Sequence, residues 1–102
     1  MAPEIRQLLA QPWPDGQRVL VSFLWEGEGP VNVELALQSA AGDPWGHMLV
    51  VELNEPRMDV TLHLRAQALP GAEGVVLARL LQGESVADSM TASFALPSNP
   101  AP

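Results

Sequence analysis

The stretch Val31-Asn32-Val33-Glu34-Leu35-Ala36-Leu37-Gln38 alternates without a break. Val31, Val33, Leu35 and Leu37 fall on one side, Asn32, Glu34, Ala36 and Gln38 on the other. Successive side chains of an extended chain point to opposite faces, so a period of two marks a β-strand with one face in a core and the other toward water. A helix would need apolar residues at i, i+3, i+4 and i+7, and that pattern is not sustained anywhere in the 102 residues.

The same reading extends outward from this strand. Before it, Val19, Val21, Phe23 and Trp25 form the inward set of a strand from Arg18 that stops at Glu26-Gly27-Glu28-Gly29-Pro30. Ile5 to Leu9 reads as an edge strand, ended by Pro12, Pro14 and Asp15-Gly16. After it, Ala41-Gly42-Asp43-Pro44-Trp45-Gly46 reads as a loop, and Met48 to Leu53 as a strand burying Leu49, Val51 and Leu53. The next strand buries Met58, Val60, Leu62 and Leu64 and shows Asp59, Thr61, His63 and Arg65 to solvent. The last one places Met90, Ala92, Phe94 and Leu96 on one face. Ten prolines lie almost wholly in turns and termini, as strands that must donate ladder hydrogen bonds require.

Seven short strands separated by turns at intervals of about 8–12 residues point to two packed antiparallel sheets, with a small closed barrel as the competing architecture. Residues 1–97 make one domain of a size that folds without staples, and 98–102, Ser-Asn-Pro-Ala-Pro, read as a flexible C-terminal tail.

Two stretches carry a resemblance. Val-Leu-Val-Ser-Phe-Leu-Trp-Glu-Gly-Glu-Gly-Pro-Val-Asn-Val-Glu-Leu (19–35) and Leu-Pro-Gly-Ala-Glu-Gly-Val-Val-Leu-Ala-Arg-Leu-Leu (69–81) resemble fibronectin type III and related immunoglobulin-like modules. The likeness lies in a core tryptophan near the end of the second strand, a Gly/Pro turn before an alternating third strand, and a Leu-Pro-Gly turn into the sixth. It implies a seven-stranded antiparallel immunoglobulin-like (fibronectin type III-like) sandwich. One departure is plain: the tyrosine that the family carries on its sixth strand falls on Gly74, and the chain has no tyrosine. The fold hosts adhesion modules, enzyme linkers and virion proteins, so it implies no single function.

Composition narrows the chemistry. Five basic against twelve acidic side chains give a net charge of −7, which repels a polyanion and argues against nucleic acid as a partner. The absence of cysteine removes thiol chemistry and cysteine-based zinc sites and leaves the compartment undetermined. The start, Met-Ala-Pro-Glu-Ile-Arg-Gln-Leu-Leu, lacks the basic region and apolar core of a signal peptide, and no run approaches a membrane span. The chain reads as a soluble protein of the cytoplasm or a virion, or as a domain cut from an exported protein.

No catalytic constellation emerges, and the sequence reading assigns no catalytic residue, metal ligand or cofactor. His63 sits on an outward strand face beside Thr61 and Arg65, and His47 follows Trp45-Gly46 in a loop, neither with a nucleophile and an orienting acid in sequence. Glu26 and Glu28, Asp15 and Asp43 occupy turns without the local spacing that gathers several oxygens on one cation.

The informative segment is Val75-Val76-Leu77-Ala78-Arg79-Leu80-Leu81. Burying Arg79 unpaired costs several kcal/mol, so Gly74, Val76, Ala78 and Leu80 face inward and Val75, Leu77, Arg79 and Leu81 outward. The second strand likewise turns Leu20 and Leu24 outward. Such an apolar outer face is covered either by the chain itself, through Leu8 and Leu9 or the Trp45 loop, or by a partner. The reading is a non-catalytic structural or protein-interaction module with Val75, Leu77, Leu81, Leu20 and Leu24 as interface, acting as an oligomer or subunit of a larger assembly. A bacteriophage capsid-decoration or tail subunit is one form this would take. The alternative is a carbohydrate-binding module stacking sugar on Trp13 and Trp45.

Overall fold

Each alternating segment becomes a strand in the computed structural model, which describes residues 2–65 and 68–99. The strands are β1 (Glu4–Pro12), β2 (Arg18–Glu26), β3 (Val31–Ser39), β4 (Pro44–Leu53), β5 (Arg57–His63), β6 (Glu73–Gln82) and β7 (Ser85–Ala95). They form two antiparallel sheets, β1-β2-β5 and β4-β3-β6-β7, packed as an immunoglobulin-like sandwich. The C-terminal residues 100–102 of the expected tail lie outside the described residues.

The inward sets of β2, β3, β5, β6 and β7 are those that alternation predicts. Val19, Val21, Phe23 and Trp25 of one sheet meet Val33, Leu35, Leu37, Val76, Ala78 and Leu80 of the other, all buried. Among the described residues no polar or charged side chain is buried, so the interior rests on apolar burial and backbone pairing. The indole N–H of Trp25 donates to the Glu55 carbonyl at 2.8 Å. At the open side between β1 and β7, the Asp88 carboxylate accepts the Ile5 amide at 2.8 Å and joins the sheets along that seam.

β4 departs from expectation. Leu49 and Val51 face solvent, 53% and 61% exposed, while Met48 and Val50 pack against the core and only Leu53 keeps its predicted place. The ladder explains the inversion. Val31 pairs with Leu53 but Val33 with Val50, so β4 carries one extra residue opposite β3. A bulge of one residue reverses the facing of every side chain beyond it. Glu52 in the bulge takes a left-handed φ of 54° and donates its amide to the Asn32 Oδ1 at 3.0 Å instead of to the ladder.

A second shift, between Leu37 and Gln38, corrects the expected loop through Trp45. Trp45 belongs to β4 and is 5% exposed, turned into the core with its ring 6.2 Å from that of Phe94. Both rings lie over Gly74, where a Cβ would stand 2.5 Å from Trp45 and 2.6 Å from Phe94. The aromatic pair fills the room that a side chain at position 74 would take.

Candidate interaction face

The cross-strand register lays out the outer face of β4-β3-β6-β7 row by row. Leu49, Glu34, Arg79 and Ser89 stand side by side across the four strands, and His47, Ala36, Leu77 and Thr91 form the next row. Gln38, Val75 and Ser93 lie below, and Asn32, Leu81 and Val86 above, with Val51 beside Asn32 at the bulge. Leu49, Val51 and Val86, 56% exposed, are the most open apolar residues of this face, while Val75, Leu77 and Leu81 are half-buried between their strand neighbours.

Glu34 is the polar centre. Its Oε1 lies 3.3 Å from Arg79 Nη1 and its Oε2 3.1 Å from His47 Nε2. Arg79 therefore faces outward, as its desolvation cost predicts, with a carboxylate beside it. His47 is a strand residue held by this acid and not a loop residue. Among the described residues, the hydrogen-bond set around Glu34 consists of His47 and Arg79, an acid between an imidazole and a guanidinium.

Leu20 and Leu24 do not join this face. They belong to β2 and point out of the other sheet, so the residues grouped by sequence as one interface divide between opposite sides of the sandwich. That side also carries Leu9, opposite Ser22 in the ladder and exposed. Neither segment expected to cover Val75, Leu77 and Leu81 does so: β1 pairs with β2, with Leu8 buried, and Trp45 is inside the core. The exposed apolar residues missed by sequence, Leu49 and Val51, follow from the bulge. Only the left-handed Glu52 marks that bulge, and no sequence signal announces it.

Of the two loop tryptophans proposed as sugar platforms, Trp45 has no free face. Trp13 opens the β1–β2 turn, its amide donating to the Arg18 carbonyl at 2.8 Å, and the Arg18 guanidinium covers one side of its ring at 3.7 Å from the centroid. A groove of about 230 Å³ beside it is lined by Gln11, Pro12, Pro14 and Leu20. His63 lies opposite Arg18 on the neighbouring strand and is exposed. A depression of about 520 Å³ at the same end of the sandwich is lined by Asp15, Leu64, Arg65, Leu69 and Pro97, without either histidine. Among the described residues, no group of three or more His, Asp or Glu side chains converges as a metal site, and no helix is long and apolar enough to cross a membrane.

The turn that carries Trp13 is tied by Asp15. Its carboxylate accepts the Gln17 amide at 2.9 Å and pairs with Arg18 at 2.7 Å. The Gln17 amide first, and Arg18 after it, hold the Asp15 carboxyl below the usual aspartate value. A folded value below the unfolded one adds stability above the unfolded value and loses it as pH falls through the folded one. Asp15→Asn is therefore expected to melt below the parent at pH 7. The gap should close as the pH drops below about 4, in thermal melts followed by circular dichroism.

No protein-family model matches the chain, and no curated protein sequence does. Solved structures do resemble it. A glycosyl hydrolase family 2 member from Bacteroides cellulosilyticus superposes with a TM-score of 0.67 at 18% identity, over 93% of this chain and 15% of its own. A putative β-galactosidase from Bacteroides fragilis gives 0.70 at 13% identity, over 93% and 18%. The β-glucuronidase from Ruminococcus gnavus gives 0.64 at 13% identity, over 92% and 16%. The chain thus spans between 15% and 18% of these much longer proteins, and what it shares with them is the β-sandwich fold.

Proposed function

We propose that this chain is a non-catalytic accessory module of the fibronectin type III-like kind that works by protein contact through the outer face of β4-β3-β6-β7. One observation carries the reading: Leu49, Val51 and Val86 are more than half exposed on a sheet face whose central strand adds Val75, Leu77 and Leu81. Antiparallel sheets normally turn a polar face to water, and several large apolar side chains left exposed on one face around a charged centre mark a contact surface. The fold neighbours support an accessory role, because the same sandwich makes up only a small share of each of three glycosidases. A sugar-binding role loses half its footing, since Trp45 is buried and Arg18 covers one side of Trp13.

The test uses a photo-crosslinking residue introduced at Val51, and separately at Leu9 on the opposite side of the sandwich. Irradiation in a native extract is expected to give discrete adducts from position 51 and none, or far fewer, from position 9. Equal yields from the two faces would overturn the assignment.

A further inference from the structure

We propose that the occupant of this face is a second copy of the same chain, related by a two-fold axis that lies in the interface and runs along the strands between β3 and β6. The inference rests on the contact reading above and adds the partner. Its ground is self-complementarity, which a two-fold interface demands: each residue must suit the one that the axis brings over it.

The axis lays β3 of one copy over β6 of the other, and β4 over β7. In the central row, Arg79 then stands over the partner's Glu34, and Glu34 over the partner's Arg79, a cluster of two acids and two bases. In the same row, Leu49 falls over the partner's Ser89, and in the next, Leu77 over the partner's Ala36. In these two rows large side chains meet small ones, and Glu34 and Arg79 each meet their opposite. The pairing sets no like charges face to face in these rows, although each chain carries −7.

The opposite face fails the same operation. There β2 is the central strand, and rotation about it brings β5 over the partner's β1. Asp59, which shares a row with Ser22 and Leu9, would lie over the partner's Leu9, covering a carboxylate with an aliphatic side chain.

The area is adequate for a modest dimer. Four strands about 4.8 Å apart, taken over the nine-residue length of β3 at about 3.4 Å per residue, give a face of roughly 600 Å² per copy, or about 1,200 Å² in all, the lower bound of specific interfaces. An area at this lower bound, with a charged centre to desolvate, makes the dimer a concentration-dependent one.

The experiment is sedimentation velocity or light scattering of the full chain from low to high micromolar concentration, with a charge-swap set. The parent is expected to pass from one to two chain masses. Glu34→Arg alone and Arg79→Glu alone set like charges against each other and are expected to weaken the dimer roughly tenfold or more. An equimolar mixture of the two single variants, and the double variant Glu34→Arg/Arg79→Glu, restore opposite charges and are expected to recover it. Thermal melts close to the parent's show that each variant is folded. A parent that remains a single chain throughout overturns the proposal, and so does a mixture of the single variants that remains monomeric. Crosslinked adducts from position 51 whose mass is not twice that of the chain overturn self-pairing while leaving the contact reading in place.

Discussion

Trp45→Ala is expected to lower the stability of the folded chain by about 4 kcal/mol, measured by chemical denaturation, because it empties a buried site. The indole is 5% exposed and packs on Phe94, so its removal forfeits the transfer of a large ring and leaves a cavity that the two sheets close only in part. For a domain whose total stability is of the order of 5–15 kcal/mol, that is a large share. A loop tryptophan serving as a sugar platform predicts the reverse: binding lost and stability little changed. A change of less than about 1 kcal/mol would sink the core assignment.

Gly74→Ala tests the same corner from the other side. The new methyl group would lie 2.5–2.8 Å from ring carbons of Trp45 and Phe94, inside contact distance on a wall that has no solvent side. Overpacking of this kind costs about 1–3 kcal/mol, against a gain of about 0.4–1 kcal/mol from the stiffer unfolded chain, and the first effect wins. The net expectation is a loss of about 1 kcal/mol, or roughly 4–8 °C in melting temperature for a domain of this size. Residues in contact couple, so the same substitution should cost less when Trp45 is already alanine, with Phe94 retaining the remainder. Equal costs in the two backgrounds would show that Trp45 does not fill the space over position 74.

These two residues show where sequence reading succeeds and where it stops. The phase of β6 was legible because Arg79 makes one of the two alternations expensive, and β6 buries Gly74, Val76, Ala78 and Leu80 as that cost requires. The outward direction of Val75, Leu77 and Leu81 follows from the same argument. Nothing in that argument shows that Trp45 would occupy the space over Gly74. The two residues lie 29 positions apart and meet only when β4 and β6 enter the same sheet.

By itself, then, the sequence determined the number of strands and the core faces of β2, β3, β5, β6 and β7. Alternation and turn residues are properties of short segments, and short segments are enough to set them. The tertiary structure alone decided that Leu20 and Leu24 lie on the opposite side from Val75, Leu77 and Leu81, that Leu49 and Val51 face outward, and that Glu34 joins Arg79 and His47. Each of these depends on which strands pair and on where a ladder admits an extra residue. Those are long-range choices, and one inserted residue in β4 is enough to exchange the buried side of the strand for the exposed one.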